Sequence, residues 1–232
     1  GIALVSAQAG IEVVLIDQTQ EAADSGKNFA EKHLDKGIKL GKTTKEQKES
    51  VLSNISPTSD LKLLSQVDLI VEAVFEDPKI KAEITQEVEC IIPEHCIFAS
   101  NTSTLPITDL AKASSRPDQF IGIHFFSPVE KMRLVEIIRG KETNNTAVAK
   151  ALDFVKQIKK TPIVVNDARF FYANRCIIPY INEGIRMVAE GIPPAMINNA
   201  AQMLGFPVGP IQLVDETSKS HVISNNEQKK PN

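Results

Sequence analysis

Short apolar runs alternate with longer polar segments over about the first 165 residues of the chain. The apolar runs are short, rich in β-branched residues and bounded by turn signals, so they predict buried β-strands. The polar segments between them have the composition of helices. The predicted strands are residues 11–17, 66–74, 96–100, 120–123, 134–138 and 161–165, and the predicted helices are residues 1–9, 21–48, 77–90, 106–113 and 145–159.

The pattern changes after Asp167, where no further strand signal is found. Three helices are predicted there instead, at residues 169–190, 193–204 and 209–218. Earlier in the chain, glycines interrupt residues 21–48, which predicts two amphipathic helices or a helical hairpin, and the turn-rich residues 53–60 leave room for a short strand.

Strands that alternate with helices indicate an α/β fold, a mostly parallel sheet with helices on both faces. We therefore predict an α/β domain at residues 1–166, an all-α domain at 167–218 and a disordered polar tail at 219–232. The order helix, Gly10, strand, Asp17 is that of the second half of a dinucleotide-binding βαβ unit, whose acid binds a ribose. Asp17 would equally suit a cap of the next helix. The first strand and the G-x-G-x-x-G turn would precede this helix, so we expect the sheet to lack both.

Composition narrows the choice of partners. The 232 residues carry a formal net charge of −3 without a basic patch, which gives no reason to expect nucleic acid. Three scattered cysteines are too few for a disulfide framework or a zinc site, so no metal is expected. No apolar run is long enough to span a bilayer, and the N-terminus does not resemble a signal peptide. Because the chain begins with Gly, we expect a fragment, a processed product or an incomplete sequence.

The candidate chemistry centres on His124 and Glu136. His124 ends one predicted strand, and Glu136 lies twelve residues later inside the next. A turn between them, at Ser127 and Pro128, would bring the two side chains face to face. A carboxylate that accepts one ring N–H makes the other ring nitrogen a better base. The alternative is a core histidine bonded to a carbonyl, beside an acid paired with an arginine.

Other polar residues share the position of His124 in the predicted fold. Asp17, Glu76 and Ser103 also lie at or just past the ends of predicted strands. Ligands of open α/β sheets bind outside the carboxyl ends of the strands, so these residues are predicted to line one site. Each of them singly would also suit a loop polar group or a helix cap.

Several motifs together carry a resemblance to a known family. They are Ser100-Asn101-Thr102-Ser103, Ile123-His124-Phe125-Phe126-Ser127-Pro128, Leu134-Val135-Glu136-Ile137-Ile138, Ala173-Asn174-Arg175 and Gly205-Phe206-Pro207-Val208-Gly209-Pro210 followed by Asp215-Glu216. With these motifs the chain resembles the L-3-hydroxyacyl-CoA dehydrogenase family over about residues 1–218. With Ser following His-Phe-Phe, it is most similar to the dehydrogenase segment of multifunctional fatty-acid β-oxidation enzymes.

The resemblance implies a Rossmann-type NAD domain and a helical domain that completes the substrate site. It implies that L-3-hydroxyacyl-CoA is oxidised to 3-ketoacyl-CoA with NAD. His124 would take the proton of the hydroxyl, Glu136 would compensate the imidazolium, and Ser103 and Asn174 would hydrogen-bond the substrate oxygens. The NAD contacts implied are Asp17 at the adenosine ribose, Val74, Phe75, Glu76 and Lys81 along the cofactor path, Ser103, and Ser127 near the nicotinamide.

The resemblance leaves two alternatives open. Arg169-Phe170-Phe171 has an aromatic where the family usually has glycine, so we expect a distorted junction, and the helical domain is expected to stop early. A catalytically impaired remnant without effective NAD binding is therefore the alternative function. A β-hydroxyacid dehydrogenase ranks lower because that family typically uses Lys rather than a His-Glu pair. A homodimer is allowed, and the location is expected to be cytoplasmic in a bacterium and otherwise peroxisomal or mitochondrial.

Overall fold

The computed structural model describes residues 1–216, which divide into two compact units, the first ending at Phe171 and the second beginning at Tyr172. The strands are β1 (Val13–Ile16), β2 (Ile55–Thr58), β3 (Leu69–Glu72), β4 (Ile97–Ser100), β5 (Phe120–Phe125), β6 (Leu134–Arg139) and β7 (Thr161–Asn166). The α-helices of the first unit are α1 (Ile2–Gln8), α2 (Gln20–Lys39), α3 (Lys45–Ser53), α4 (Pro78–Glu89), α5 (Ile107–Leu110) and α6 (Asn145–Gln157). Its 3₁₀-helices are Leu61–Gln66, Ala111–Ala113 and Pro117–Gln119.

The strands of the first unit form two sheets. β1 and β2 pair in parallel, and β3 to β7 form a five-stranded sheet in chain order. All neighbours in the larger sheet are parallel except β5 and β6, which are antiparallel. Within residues 1–216, no strand bonds to both sheets. The predicted mostly parallel α/β fold is confirmed.

Apolar residues cover both faces of the larger sheet. On one face Ile121, Ile123 and Ile137 pack against α1 and α6. On the other face Phe120 and Ile138 pack with Phe98 and with Ile107 of α5. Successive residues of a strand point to opposite faces, so His124 shares the face of Phe120, the side of α5.

The second unit is helical, as predicted. It contains α7 (Ala173–Ala189), α8 (Pro194–Met203) and a helical segment at residues 210–216. Tyr180 of α7 stacks on Phe206 at 4.7 Å and donates a hydrogen bond to the Val208 carbonyl. The Asn198 side chain accepts the N–H groups of Ile211 and Gln212, which fixes the start of the last segment against α8.

Some predicted element bounds were wrong. The helix predicted from residue 169 begins at Ala173, because Phe170 and Phe171 have φ angles of 68° and 46°, which a right-handed helix excludes. The strand predicted from residue 66 begins at Leu69, after a 3₁₀-helix that Asp60 caps. The helix pair predicted at 21–48 extends to Ser53. The predicted tail at 219–232 lies outside the described residues.

Candidate functional site

The antiparallel pair β5–β6 places His124 directly opposite Glu136. The His124 Nδ1 atom lies 2.8 Å from the Glu136 Oε2 atom. Both residues are buried, with 4% of His124 and 0% of Glu136 exposed. A buried carboxylate needs a donor, and the neutral imidazole supplies one when its proton is on Nδ1. This tautomer leaves the lone pair of Nε2 to accept a proton.

Aromatic rings surround the imidazole. The centroid of the His124 ring lies 4.5 Å from that of the Phe126 ring and 5.9 Å from that of the Phe171 ring. Phe171 is itself 1% exposed. An apolar enclosure strengthens the hydrogen bond between His124 and Glu136, because the local dielectric constant is lower than in water.

The Glu76 carboxylate organises the loop after β4. Its Oε1 atom accepts hydrogen bonds from the Thr102 hydroxyl at 2.6 Å and from the N–H groups of Ser103 and Thr104 at 2.9 and 3.0 Å. Burial acts to raise the pKa of the Glu76 carboxyl, but the bonds from Thr102 and Ser103, with the charge of Lys81, outweigh it and the pKa is lowered. Ser103, predicted to bind substrate and cofactor, is thereby held at the carboxyl edge of the sheet.

The segment after β3 combines exposed and buried residues. Val74 and Phe75 are exposed by 37% and 61%, which leaves an apolar surface at the carboxyl edge. Lys81, on α4, is 2% exposed, and its Nζ atom lies 2.8 Å from Glu72 and 3.4 Å from Glu76. The sequence predicts Lys81 on the cofactor path, and the structure places its buried charge between Glu72 and Glu76.

The remaining predicted residues are Asp17, Ser127 and Asn174. Asp17 follows β1, is exposed and accepts the N–H of Gln18 at 2.7 Å. Ser127 is exposed in the connection between β5 and β6. Asn174 lies in the first turn of α7, in the second unit, and its role stays a prediction.

Two residues that sequence analysis did not select contribute to this edge. Glu72 bonds to Lys81 and to the Ser100 hydroxyl, and Asn101 accepts the N–H of Phe125. Glu72 had a signal in the sequence, since it is a charge inside an apolar run that predicts a buried strand. Asn101 stands in a polar turn that offers no comparable signal.

A mostly parallel α/β sheet with polar residues gathered at the carboxyl ends of its strands is typical of dinucleotide-binding domains. Residues 1–168 match the family model "3-hydroxyacyl-CoA dehydrogenase, NAD binding domain", and residues 171–226 match "3-hydroxyacyl-CoA dehydrogenase, C-terminal domain". The chain belongs to the 3-hydroxyacyl-CoA dehydrogenase family, and NAD is the cofactor of that family. The recognition made from the motifs is confirmed.

Individual relatives agree with this family. The chain is 43% identical over 216 residues to the fatty acid oxidation complex subunit alpha of Idiomarina loihiensis. The matched region covers 93% of this chain and 30% of that protein. It therefore spans less than a third of the length of this relative. The structure of (S)-3-hydroxybutyryl-CoA dehydrogenase PaaH1 from Ralstonia eutropha has a TM-score of 0.90 and 37% identity, covering 93% of this chain and 77% of that one. FadB2 of M. tuberculosis has a TM-score of 0.87 and 34% identity, covering 91% and 76%.

Two further findings concern residues 1–216. None of their helices combines the length and apolar character that crossing a bilayer requires. Their His, Cys, Asp and Glu side chains form no group of three or more that would suit a metal ion.

Proposed function

We propose that this chain oxidises L-3-hydroxyacyl-CoA to 3-ketoacyl-CoA with NAD, as part of fatty-acid β-oxidation. The observation that carries the proposal is the buried His124–Glu136 pair near the carboxyl edge of a domain from a dehydrogenase family. In this pair, 2.8 Å separates the His124 Nδ1 atom from the Glu136 Oε2 atom. Oxidation of an alcohol needs a base for the hydroxyl proton, and an imidazole nitrogen can serve as that base.

The geometry of the pair supports the following roles. His124 accepts the hydroxyl proton on Nε2, since Nδ1 is bonded to Glu136. Glu136 then stabilises the imidazolium, because its carboxylate is already in place and loses no solvation during the reaction. In the reverse direction the same nitrogen returns the proton to the ketone oxygen. Ser103 hydrogen-bonds the substrate oxygen and so helps to orient it.

The residues present fit a dinucleotide. Asp17 offers an exposed carboxylate just after β1, where a ribose hydroxyl would be bound. Val74 and Phe75 offer exposed apolar surface at the ends of the strands, where a flat ring would pack. Glu76 and Ser127 line the same edge in this proposal, and the buried Lys81 lies behind it, 3.4 Å from Glu76. When bound, NAD would accept the hydride from C3 of the substrate.

NADH titration followed by acetoacetyl-CoA-dependent NADH oxidation tests the proposal. We expect the unmodified chain to bind NADH and turn over. His124→Gln should retain the fold and NADH binding but lose ~10²–10⁴-fold in rate, the usual contribution of a general acid–base group. A folded and fully active His124→Gln variant would exclude His124 from the mechanism. A folded unmodified chain that does not bind NADH would instead favour the catalytically impaired remnant.

A further inference from the structure

Glu72 is a buried acid that the proposed reaction does not use. It ends β3, and its side chain is 2% exposed. A carboxylate taken out of water is costly unless charged or polar partners replace the solvent. The partners of Glu72 therefore indicate what its burial accomplishes.

Each oxygen of the Glu72 carboxylate has a distinct set of partners. Oε1 accepts the ammonium group of Lys81 at 2.8 Å and the N–H of Val74 at 2.7 Å. Oε2 accepts the hydroxyl of Ser100 at 2.8 Å, at the end of the neighbouring strand β4. One carboxylate thus joins the end of β3, the end of β4 and the first half of α4.

Lys81 carries this connection to the two loops at the carboxyl edge. Its Nζ atom also donates to the Val74 carbonyl at 3.3 Å and lies 3.4 Å from the Glu76 Oε2 atom. The other oxygen of Glu76 binds Thr102 and the N–H groups of Ser103 and Thr104. Glu72, Lys81 and Glu76 therefore form a continuous acid–lysine–acid cluster from the core to the loops.

We infer that Glu72 is a positioning residue for the dinucleotide site. It holds residues 73–77 directly, at the Val74 N–H, and through Lys81, and it holds residues 101–104 through Lys81 and Glu76. These stretches contain Val74, Phe75 and Glu76, to which the proposed function assigns cofactor contacts, and Ser103, to which it assigns the substrate oxygen, so the inference rests on that function. A purely structural pair would stabilise the fold without setting NADH affinity.

Charge removal in two steps separates these roles. Glu72→Gln leaves the buried Lys81 charge without its nearest carboxylate, so a large loss of stability is expected. The double variant Glu72→Gln/Lys81→Met removes both charges and should recover much of that stability, because neutral residues replace a buried pair at little cost. It does not restore the bonds from Lys81 to Val74 and Glu76, so the loops should remain loosened.

Three measurements are made on the full chain: thermal midpoint, NADH dissociation constant, and hydrogen exchange of the Val74, Ser103 and Thr104 amides. Asp35→Asn is the matched control. Asp35 also pairs with a lysine, because its carboxylate lies 2.6 Å from the Lys48 ammonium group in the contact between α2 and α3. For the double variant we expect faster exchange of the three amides and an NADH dissociation constant raised about tenfold or more. Asp35→Asn should change neither.

The outcomes are distinguishable. A double variant that recovers stability together with unmodified exchange and NADH affinity would overturn the inference and leave a structural pair. If the unmodified chain does not bind NADH, the proposed function fails, and amide exchange alone decides the role of Glu72. Faster exchange in the double variant then supports the positioning of the two loops, and unchanged exchange overturns it.

Discussion

The side-chain oxygen of Asn101 accepts a hydrogen bond of 2.8 Å from the backbone N–H of Phe125. Phe125 directly follows His124 and ends β5, while Asn101 directly follows β4. The Asn101 N–H in turn donates to the Glu72 carbonyl at 2.8 Å. Asn101 thus ties together the carboxyl ends of β3, β4 and β5, and restrains the backbone that carries His124.

Replacing Asn101 should affect the chemical step more than cofactor binding. Asn101→Ala leaves the partly buried Phe125 N–H without its acceptor, which costs about 1–3 kcal/mol of unfolding free energy. We expect a lower kcat with a nearly unchanged NADH dissociation constant. Asn101→Asp keeps an oxygen at the same position and should recover much of the stability in urea unfolding. Unaltered stability and kcat in Asn101→Ala would contradict this role.

Glu136→Gln should retain the fold and NADH binding but lose on the order of 10²-fold in kcat. The amide still accepts the Nδ1 proton of His124, but it no longer offsets the positive charge that develops on the ring. Steady-state oxidation of NADH with acetoacetyl-CoA measures the loss. Glu142→Gln, an exposed acid shortly after β6, is the control and should behave as the unmodified chain. An unchanged kcat in Glu136→Gln would refute the pairing as a catalytic device.

Gly122→Ala should destabilise the chain by about 1–3 kcal/mol through overpacking. A Cβ atom there would lie 2.8 Å from the Ile107 side chain and 2.9 Å from that of Ile138. Since Gly122 precedes His124 by two residues in β5, a displaced strand would also lower kcat. Ile107→Val removes one of the obstructing methyl groups, so the double variant should regain part of the loss in denaturant unfolding. A fully stable Gly122→Ala would show that the sheet yields without cost.

Glu76 should stabilise the folded chain in a pH-dependent way. Its folded pKa lies below the ordinary value of 4.5, so its contribution is fully present above that value. The contribution is lost as the pH falls through the lower, folded pKa. The difference in unfolding free energy between the unmodified chain and Glu76→Gln should therefore shrink on acidification below that value. A difference that is constant between neutral and acidic pH would contradict the proposed hydrogen bonding.

The three cysteines should differ in reactivity. Cys90 and Cys176 are exposed, whereas Cys96 is buried, and burial raises the pKa of the Cys96 thiol to about 11. The thiolate is the reactive form, so a disulfide reagent at mildly alkaline pH should modify Cys90 and Cys176 first. Cys96 should react only after unfolding. Replacing Cys96 by Ala should leave the fast phase unchanged, and rapid modification of Cys96 in the folded chain would contradict its burial.

Part of the site follows from the sequence for simple reasons. Short β-branched runs predicted β5 and β6, and the short connection between them allowed an antiparallel pair. A facing pair of His124 and Glu136 was therefore one expectation, beside a core histidine bonded to a carbonyl, and the strand register was left open. A distorted junction was expected at Phe170, but not the later start of α7 at Ala173, which the positive φ angles of Phe170 and Phe171 impose.

By itself, the sequence determined the order of helices and strands, the family and the residue types at the carboxyl edge. Local periodicity and motif spacing carry that information, since each depends on neighbours along the chain. Only the tertiary structure decided the register of His124 against Glu136, the burial of Lys81 against Glu72, and the bonds from Glu76 to the loop after β4. These contacts join residues distant in the chain, and they form because packing of the domain takes charged groups out of water, where polar or charged partners must replace the solvent.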